Sequence, residues 1–469
     1  MVYISSCKGG IIMKYARWST VEEMKKYVKG VNLETGVKKS GLPVMYDDNF
    51  LYIDDRECHS LIVGSTGCGK TQSVTLPMIR LAIEAGENII VNDVKGELHN
   101  IISDKLKKEG YNVIVIDFEN PSLGNSWNPL LLPYQLYKSG DKDRAIELIE
   151  DLGYYIFTDK LDSSDPFWVN STIDFFTGLT LYLFENGKEV EINLNSIYSI
   201  SANGIDKKNG ISYFDLIMNG IDKNSNIYFN LSGTLLAPNE TKGSIISVFN
   251  QKIKRYITRE SLCKMLSTSD FDIKSIGNEK TALFMVSGKN SFSNSFLPLL
   301  VSQIITCVDL YGNGNVLNNV LLDEFECLLP IKNFGKIINY CRGMRVRFTV
   351  FIKSFIDLIS TYGEENAEII KMCFGNVVYL LANDLLTLEE VSKLCGNEMV
   401  NGNIEPLITV EELKIFNNFE AIVLIPRMMP FKTKLLPDYM IDYGYEIIKS
   451  EIPSRVDKDI SIFDIKSVL

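Results

Sequence analysis

Ser60-Leu-Ile-Val-Gly-Ser-Thr-Gly-Cys-Gly-Lys-Thr71 decides the fold: a short apolar run enters GxxxxGKT, and helix-compatible sequence continues to about Ala85. This is a P-loop, the phosphate cradle of nucleoside triphosphatases. Gly64, Gly67 and Gly69 let the backbone curl so that its N–H groups face a β-phosphate, and the following helix adds the positive end of its dipole. The expected nucleotide-binding residues are therefore Gly64, Ser65, Thr66, Gly67, Cys68, Gly69, Lys70 and Thr71. Lys70 reaches the β- and γ-phosphates as a point charge, and the Thr71 hydroxyl is placed to ligate Mg2+.

A P-loop needs a second half. Val320-Leu-Leu322 is a short apolar strand suited to a sheet covered on both faces, and it ends in Asp323-Glu324. Asp323 is expected to hold Mg2+ through its water shell, with Glu324 polarising the attacking water as general base. Working outward, Asn88 to Asn92 reads as a strand, Glu97 to Lys108 as a helix and Asn112 to Asp117 as another strand. Strands return at Ala282 to Val286, Asn319 to Leu322, Phe348 to Ile352, Val377 to Leu381 and Ile422 to Ile425. Between the two sets the apolar spacing is helical, as in Ile173, Phe176, Leu179 and Leu183, with loops such as Ser201 to Gly210. The expected fold is α/β, a RecA-like P-loop NTPase with a doubly wound, mostly parallel sheet and an inserted all-α domain. Its expected bounds are a basic segment over 1–47, the nucleotide-binding domain over 48–130 and 271–440, the helical insertion over 131–270, and a C-terminal tail over 441–469, of which Ser450 to Leu469 reads as exposed.

Composition narrows the class. At 469 residues, with 46% hydrophobic and 23% charged, the chain folds rather than remaining disordered. Nine scattered cysteines without a CxxC pair, beside two histidines, exclude a zinc-type ligand set and read as reduced thiols. The best apolar run, Phe296 to Tyr311, is interrupted by Pro298, Ser302, Gln303, Thr306 and Asp309, so no segment is expected to span a bilayer. A net charge of −11 means that any nucleic-acid contact must come from a local basic surface. Residues 1–40 lean that way, with Lys8, Lys14, Arg17, Lys25, Lys26, Lys29, Lys38 and Lys39 against Glu22, Glu23 and Glu34. A solvated face accounts for that bias, and so does contact with DNA or lipid head groups.

Further stretches fall in one order along the chain: Ala16-Arg-Trp18, Asn92-Asp-Val-Lys-Gly-Glu-Leu98, Asn125-Ser-Trp-Asn-Pro-Leu130, Asp165-Pro-Phe-Trp168, Ser269-Asp-Phe-Asp272, Thr281-Ala-Leu-Phe284, Leu321-Leu-Asp-Glu-Phe325, Ala382-Asn-Asp384 and Glu405-Pro-Leu407. With the P-loop they resemble the type IV coupling proteins, hexameric ATPases of conjugation and type IV secretion, over about residues 14 to 435. The resemblance implies ATP and Mg2+ as cofactors, a homo-hexamer, and single-stranded DNA carrying a bound relaxase as cargo. Channel ATPases of the secretion system and a membrane-anchoring subunit are the further partners it implies; a protein cargo or a weakly hydrolysing receptor are the rival readings. It also implies that Arg342 is an arginine finger for a neighbouring subunit's nucleotide, with Arg345 and Arg347 as rivals, while Asp93 and Lys95 either support the site or pair with each other.

Two departures qualify this. Phe351-Ile-Lys-Ser354 places Lys353 where most of the family has a glutamine that senses the γ-phosphate, and a lysine cannot orient water as an amide does. The usual amino-terminal membrane anchor is also missing, which leads to the expectation of a cytoplasmic protein held peripherally at the inner face of the cell membrane.

Overall fold

The computed structural model describes residues 3–7, 10–33, 36–158, 165–288 and 291–468. Lys8 lies outside them, as does Glu34. The chain forms two compact units: Met1–Val113, Ser275–Phe284 and Val308–Glu451 make the first, and Ile114–Lys274, Met285–Cys307 and Ile452–Leu469 make the second.

The central sheet has nine strands, numbered here in chain order: β1 Ser60–Gly64, β2 Asn88–Asn92, β3 Asn112–Asp117, β4 Thr281–Val286, β5 Asn318–Leu322, β6 Val346–Ile352, β7 Asn376–Leu381, β8 Glu420–Leu424 and β9 Phe431–Lys434. Their order across the sheet is β9-β8-β7-β1-β6-β5-β2-β4-β3. β7, β6, β5 and β2 flank β1 in parallel register, while β8 and β9 close one edge antiparallel. Every residue of β1, β2, β5 and β6 is buried, which is why these strands carry apolar stretches such as Ile89-Ile-Val91 and Val320-Leu-Leu322 rather than an alternating pattern. This is the expected doubly wound α/β P-loop fold. β3 and β4 each run from the first unit into the second.

The described part of the basic segment over 1–47 joins a small sheet. Lys29–Val31, Phe50–Asp54 and Leu42–Asp47 make a three-stranded antiparallel sheet, whose Val31, Leu51 and Ile53 pack with Val37, Leu81 and Ile441. Several of the counted cations are paired, Arg17 with Glu23, Lys25 with Asp47 at 2.6 Å and Lys39 with Glu57 at 3.6 Å. Within strand β6, Arg347 is buried and donates to Asn319 Oδ1 at 3.0 Å and to the Ser40 carbonyl at 3.1 Å, 3.6 Å from the Glu87 carboxylate.

The second unit is largely helical, with Pro166–Asn186 and Asn239–Ile257 as its long elements between residues 131 and 270. It is not entirely α. Asn209 and Gly210 sit at φ 52° and 87°, the positive pair of a tight hairpin turn, and they join the strands Lys207–Lys208 and Ile211–Ser212 in the stretch expected as a loop. The unit also takes in much of the helix Ser291–Tyr311, which carries Pro298 in its interior. Among the described residues, no helix is long and apolar enough to cross a membrane.

The expected exposed tail is a second correction. Phe463 and Ile465 are buried, Phe463 N–H donates to Ser196 Oγ at 2.9 Å, and the Arg455 guanidinium donates to the carbonyls of Pro121 and Ser261, each at 3.1 Å. Isolated apolar residues in a polar stretch were enough to strap it down, although they carried no periodicity.

Candidate functional site

β1 delivers the P-loop at its carboxyl end, the edge where parallel sheets bind ligands. Gly67 and Gly69 stand at φ 84° and 93°, conformations that residues with a side chain rarely adopt. Gly64 is required for space, since a Cβ there would lie 2.6 Å from Cys68 Sγ. Cys68 is accordingly buried, and burial pushes its thiol pKa up. Lys70 folds back on the loop, donating to the carbonyls of Gly64 at 2.5 Å and Ser65 at 3.3 Å. The turn that follows, Thr71–Thr75, is a π-turn in which Leu76 N–H reaches the Thr71 carbonyl, a local widening that is common at functional sites and had no signature in the sequence.

The neighbouring strands bring the acidic half to the same edge. Leu322 pairs with Asn92 on β2 and with Val350 on β6, and Ile352 pairs with Val63 on β1, so Asp323, Asp93 and Lys353 all emerge beside Ser65. A cavity of about 350 Å3 is lined by Thr66, Gly67, Gly69, Lys70 and Thr71 of the loop, but not Cys68, together with Asn92, Asp93, Lys95, Glu97, Asp323 and Glu324. It therefore contains both proposed Mg2+ ligands, Thr71 and Asp323, as hard oxygen donors. Burial raises the Asp323 carboxyl pKa, and the charge of Lys70 opposes that rise.

Glu324 has a left-handed backbone, φ 46° and ψ 45°, unusual for a residue with a long side chain. Two contacts hold it there: its N–H donates to Asp323 Oδ1 at 2.9 Å, and the next residue, Phe325, is buried 4.9 Å from the Phe334 ring and 5.4 Å from the Tyr362 ring, centroid to centroid. Lys353 faces it from β6. Its ammonium lies 3.8 Å from Glu324 Oε1 and 3.3 Å from Oε1 of the buried Glu326, a partner that sequence reading missed. A second cavity of about 420 Å3 opens on the other side of Lys353, lined by Ser65, Thr66, Ser354, Asp357 and Asp384 among others.

Asp93 does not pair with Lys95. Its carboxylate accepts from His99 N–H at 2.9 Å at the start of the helix Glu97–Lys108, while Lys95 is exposed; burial pushes the Asp93 carboxyl up to about 6. Arg342 is exposed and stands before β6, whereas Lys353 follows the same strand. Seven strand residues put it about 20 Å from its own chain's site. Arg345 donates to the Gly314 carbonyl at 3.0 Å, and Arg347 belongs to the buried network, which removes it as a rival.

Comparison with known proteins gives a consistent result. The sequence model described as Type IV secretory system Conjugative DNA transfer matches residues 12–404. Among solved structures, the bacterial conjugative coupling protein TrwBdeltaN70 in a trigonal form with sulphate is similar with a TM-score of 0.68 at 14% identity, covering 97% of this chain and 100% of that one. The plasmid coupling protein TrwB with the ATP analogue ADPNP (TM-score 0.66) and with ADP and Mg2+ (0.67) match at the same identity and coverage. At that identity the likeness establishes the shared fold. A search of curated proteins finds no match.

Proposed function

Because the chain belongs to the type IV secretory system conjugative DNA transfer family, we propose that it is an Mg2+-dependent ATPase that moves single-stranded DNA, with its bound relaxase, to a conjugative secretion channel. The observation that carries this reading is the convergence of Lys70, Thr71, Asp323 and Glu324 on one cavity at the carboxyl edge of the sheet. TrwB, of the same fold, has been solved with ADP and Mg2+, which supports the same pair of ligands here.

In this reading the loop N–H groups and Lys70 hold the phosphates, while Thr71 and Asp323 hold Mg2+, which supplies charge neutralisation on the β- and γ-oxygens. Glu324 accepts the proton of the attacking water. Its constrained backbone keeps the carboxylate at the mouth of the cavity without a reorganisation step. Arg342, remote from its own site, completes the site of a neighbour in a homo-hexameric ring and couples hydrolysis between subunits. The helical unit reads the cargo, a role assigned by family analogy. Channel ATPases and a membrane-anchoring subunit are the remaining partners, and the inner face of the cell membrane is the place of action.

One observation favours a second reading, a nucleotide-binding receptor that hydrolyses little: the Lys353 ammonium already stands 3.8 Å from the carboxylate that must take the proton. DNA binding tests the motor reading. The assembled protein should bind single-stranded DNA with log affinity falling linearly as log salt rises. No binding by the assembled ring at low salt would instead favour a protein cargo.

A further inference from the structure

The phosphate site accounts for one end of a nucleotide and leaves the other end open. β5, which carries Asp323 and Glu324, lies on one side of β1 with β6 between them, and β8 lies on the other side with β7 between them. Triphosphate held from Glu324 across the loop therefore points the rest of the nucleotide toward the β8 edge.

An aromatic pair waits there. Phe419 immediately precedes β8 and has φ 71°, a left-handed conformation that a bulky side chain seldom adopts, fixed in part by its carbonyl accepting from Leu435 N–H at 2.8 Å. That backbone lays its ring on the P-loop: a Cβ built on Gly69 would fall 2.6 Å from Phe419 Cε1. Tyr439 stands beside it, its ring centroid 6.5 Å away and inclined at 68°, and it is 67% exposed. Its turn, Asp438–Met440, packs against Thr71–Thr75, the segment just past the phosphate loop. An exposed tyrosine of this size, held against the start of the P-loop helix, presents ring surface and little else.

From this placement we propose that Phe419 and Tyr439 form the stacking platform for the nucleotide base; the proposal rests on the P-loop binding phosphate as described above. Two neighbouring carboxylates are already engaged. Asp438 accepts from Arg80 at 2.7 and 2.9 Å, and Glu420 Oε2 accepts from Asn417 N–H at 2.8 Å. The two rings offer the base stacking surface, and with these carboxylates engaged the expected preference between adenine and guanine nucleotides is small.

Calorimetric titration of the full chain with MgADP, MgGDP and inorganic tripolyphosphate tests this, comparing wild type with Tyr439→Ala, Tyr439→Phe and Phe419→Leu. Loss of one stacked ring should weaken both nucleotides in Tyr439→Ala by about 5- to 30-fold, while tripolyphosphate binding stays unchanged and Tyr439→Phe behaves as wild type. Because Tyr439 is exposed, Tyr439→Ala keeps the test valid even if Phe419→Leu disturbs the loop. Unchanged nucleotide affinity in Tyr439→Ala, with wild type binding both nucleotide and tripolyphosphate, overturns the platform. Failure of wild type to bind tripolyphosphate or nucleotide overturns the phosphate site itself, and the platform with it.

Discussion

Lys353 and Glu326 form an ion pair at 3.3 Å in which the carboxylate is 6% exposed and the ammonium 34%. Burial raises the Glu326 carboxyl pKa while a backbone hydrogen bond and the charge of Lys353 oppose that rise, so the lysine helps to keep a buried charge tolerable at the carboxyl edge of the sheet. A glutamine at position 353 would leave that charge unmatched. Lys353→Gln should therefore lower stability by about 1 to 2 kcal/mol, a figure reduced because the ammonium is partly solvated, and Lys353→Gln with Glu326→Gln should recover most of it. Urea unfolding of the four proteins of the cycle measures the coupling. Strictly additive effects would mean that the two residues do not act together.

Arg342 is exposed and remote from its own chain's nucleotide cavity. Arg342→Ala should keep the melting temperature and the ATP affinity of wild type while turnover in the assembled ring falls by about 10^3-fold or more, the range of arginine fingers supplied by a neighbour. Unaltered turnover in a preparation confirmed as assembled would remove Arg342 from the mechanism.

His59 is locked neutral. Its Nε2 lies 2.8 Å from the Ile338 carbonyl and its Nδ1 accepts from Phe348 N–H at 3.0 Å, which assigns the proton to Nε2; burial lowers its pKa to about 4. Burial also lowers the pKa of His99, the second of the two histidines. The unfolded chain binds a proton at His59 near pH 6.5 and the folded chain does not until about 4, so this group's contribution to stability is full above 6.5 and is lost as pH falls toward 4. Nitrogen-15 NMR of labelled histidine at pH 5.5 should find His59 neutral with its proton on Nε2. Titration near 6.5 in the folded protein would contradict the burial.

Residues 452–469 are part of the helical unit's packing rather than an appendage, as Arg455, Phe463 and Ile465 are buried. Deleting them should uncover apolar surface worth several kcal/mol and lower the melting temperature of that unit by about 5 °C or more. Calorimetry of the full and shortened chains would read this directly, and equal transitions would mean that the tail contributes nothing.

The central sheet was legible because strands buried on both faces carry short apolar stretches such as Val320-Leu-Leu322, and because Asp323 and Glu324 end that stretch. The P-loop was legible because its glycines are demanded by backbone geometry. Contacts that depend on register were not. Lys353 meets Glu326 only because β5 lies beside β6 in parallel, and no spacing along the chain encodes that. Arg342, Arg345 and Arg347 look equivalent as residues, yet one is exposed, one is tied to a loop carbonyl and one is buried within strand β6. Nothing in the sequence marks Phe419, whose positive φ places its ring on Gly69.

Steady-state ATP hydrolysis by the assembled protein, with and without single-stranded DNA, tests the central claim most directly when wild type is set beside Glu324→Gln. DNA-stimulated turnover in wild type, lost by at least about 100-fold in Glu324→Gln with ATP binding retained, is the predicted result. Turnover that is absent in wild type, indifferent to DNA, or unchanged by the substitution would contradict it.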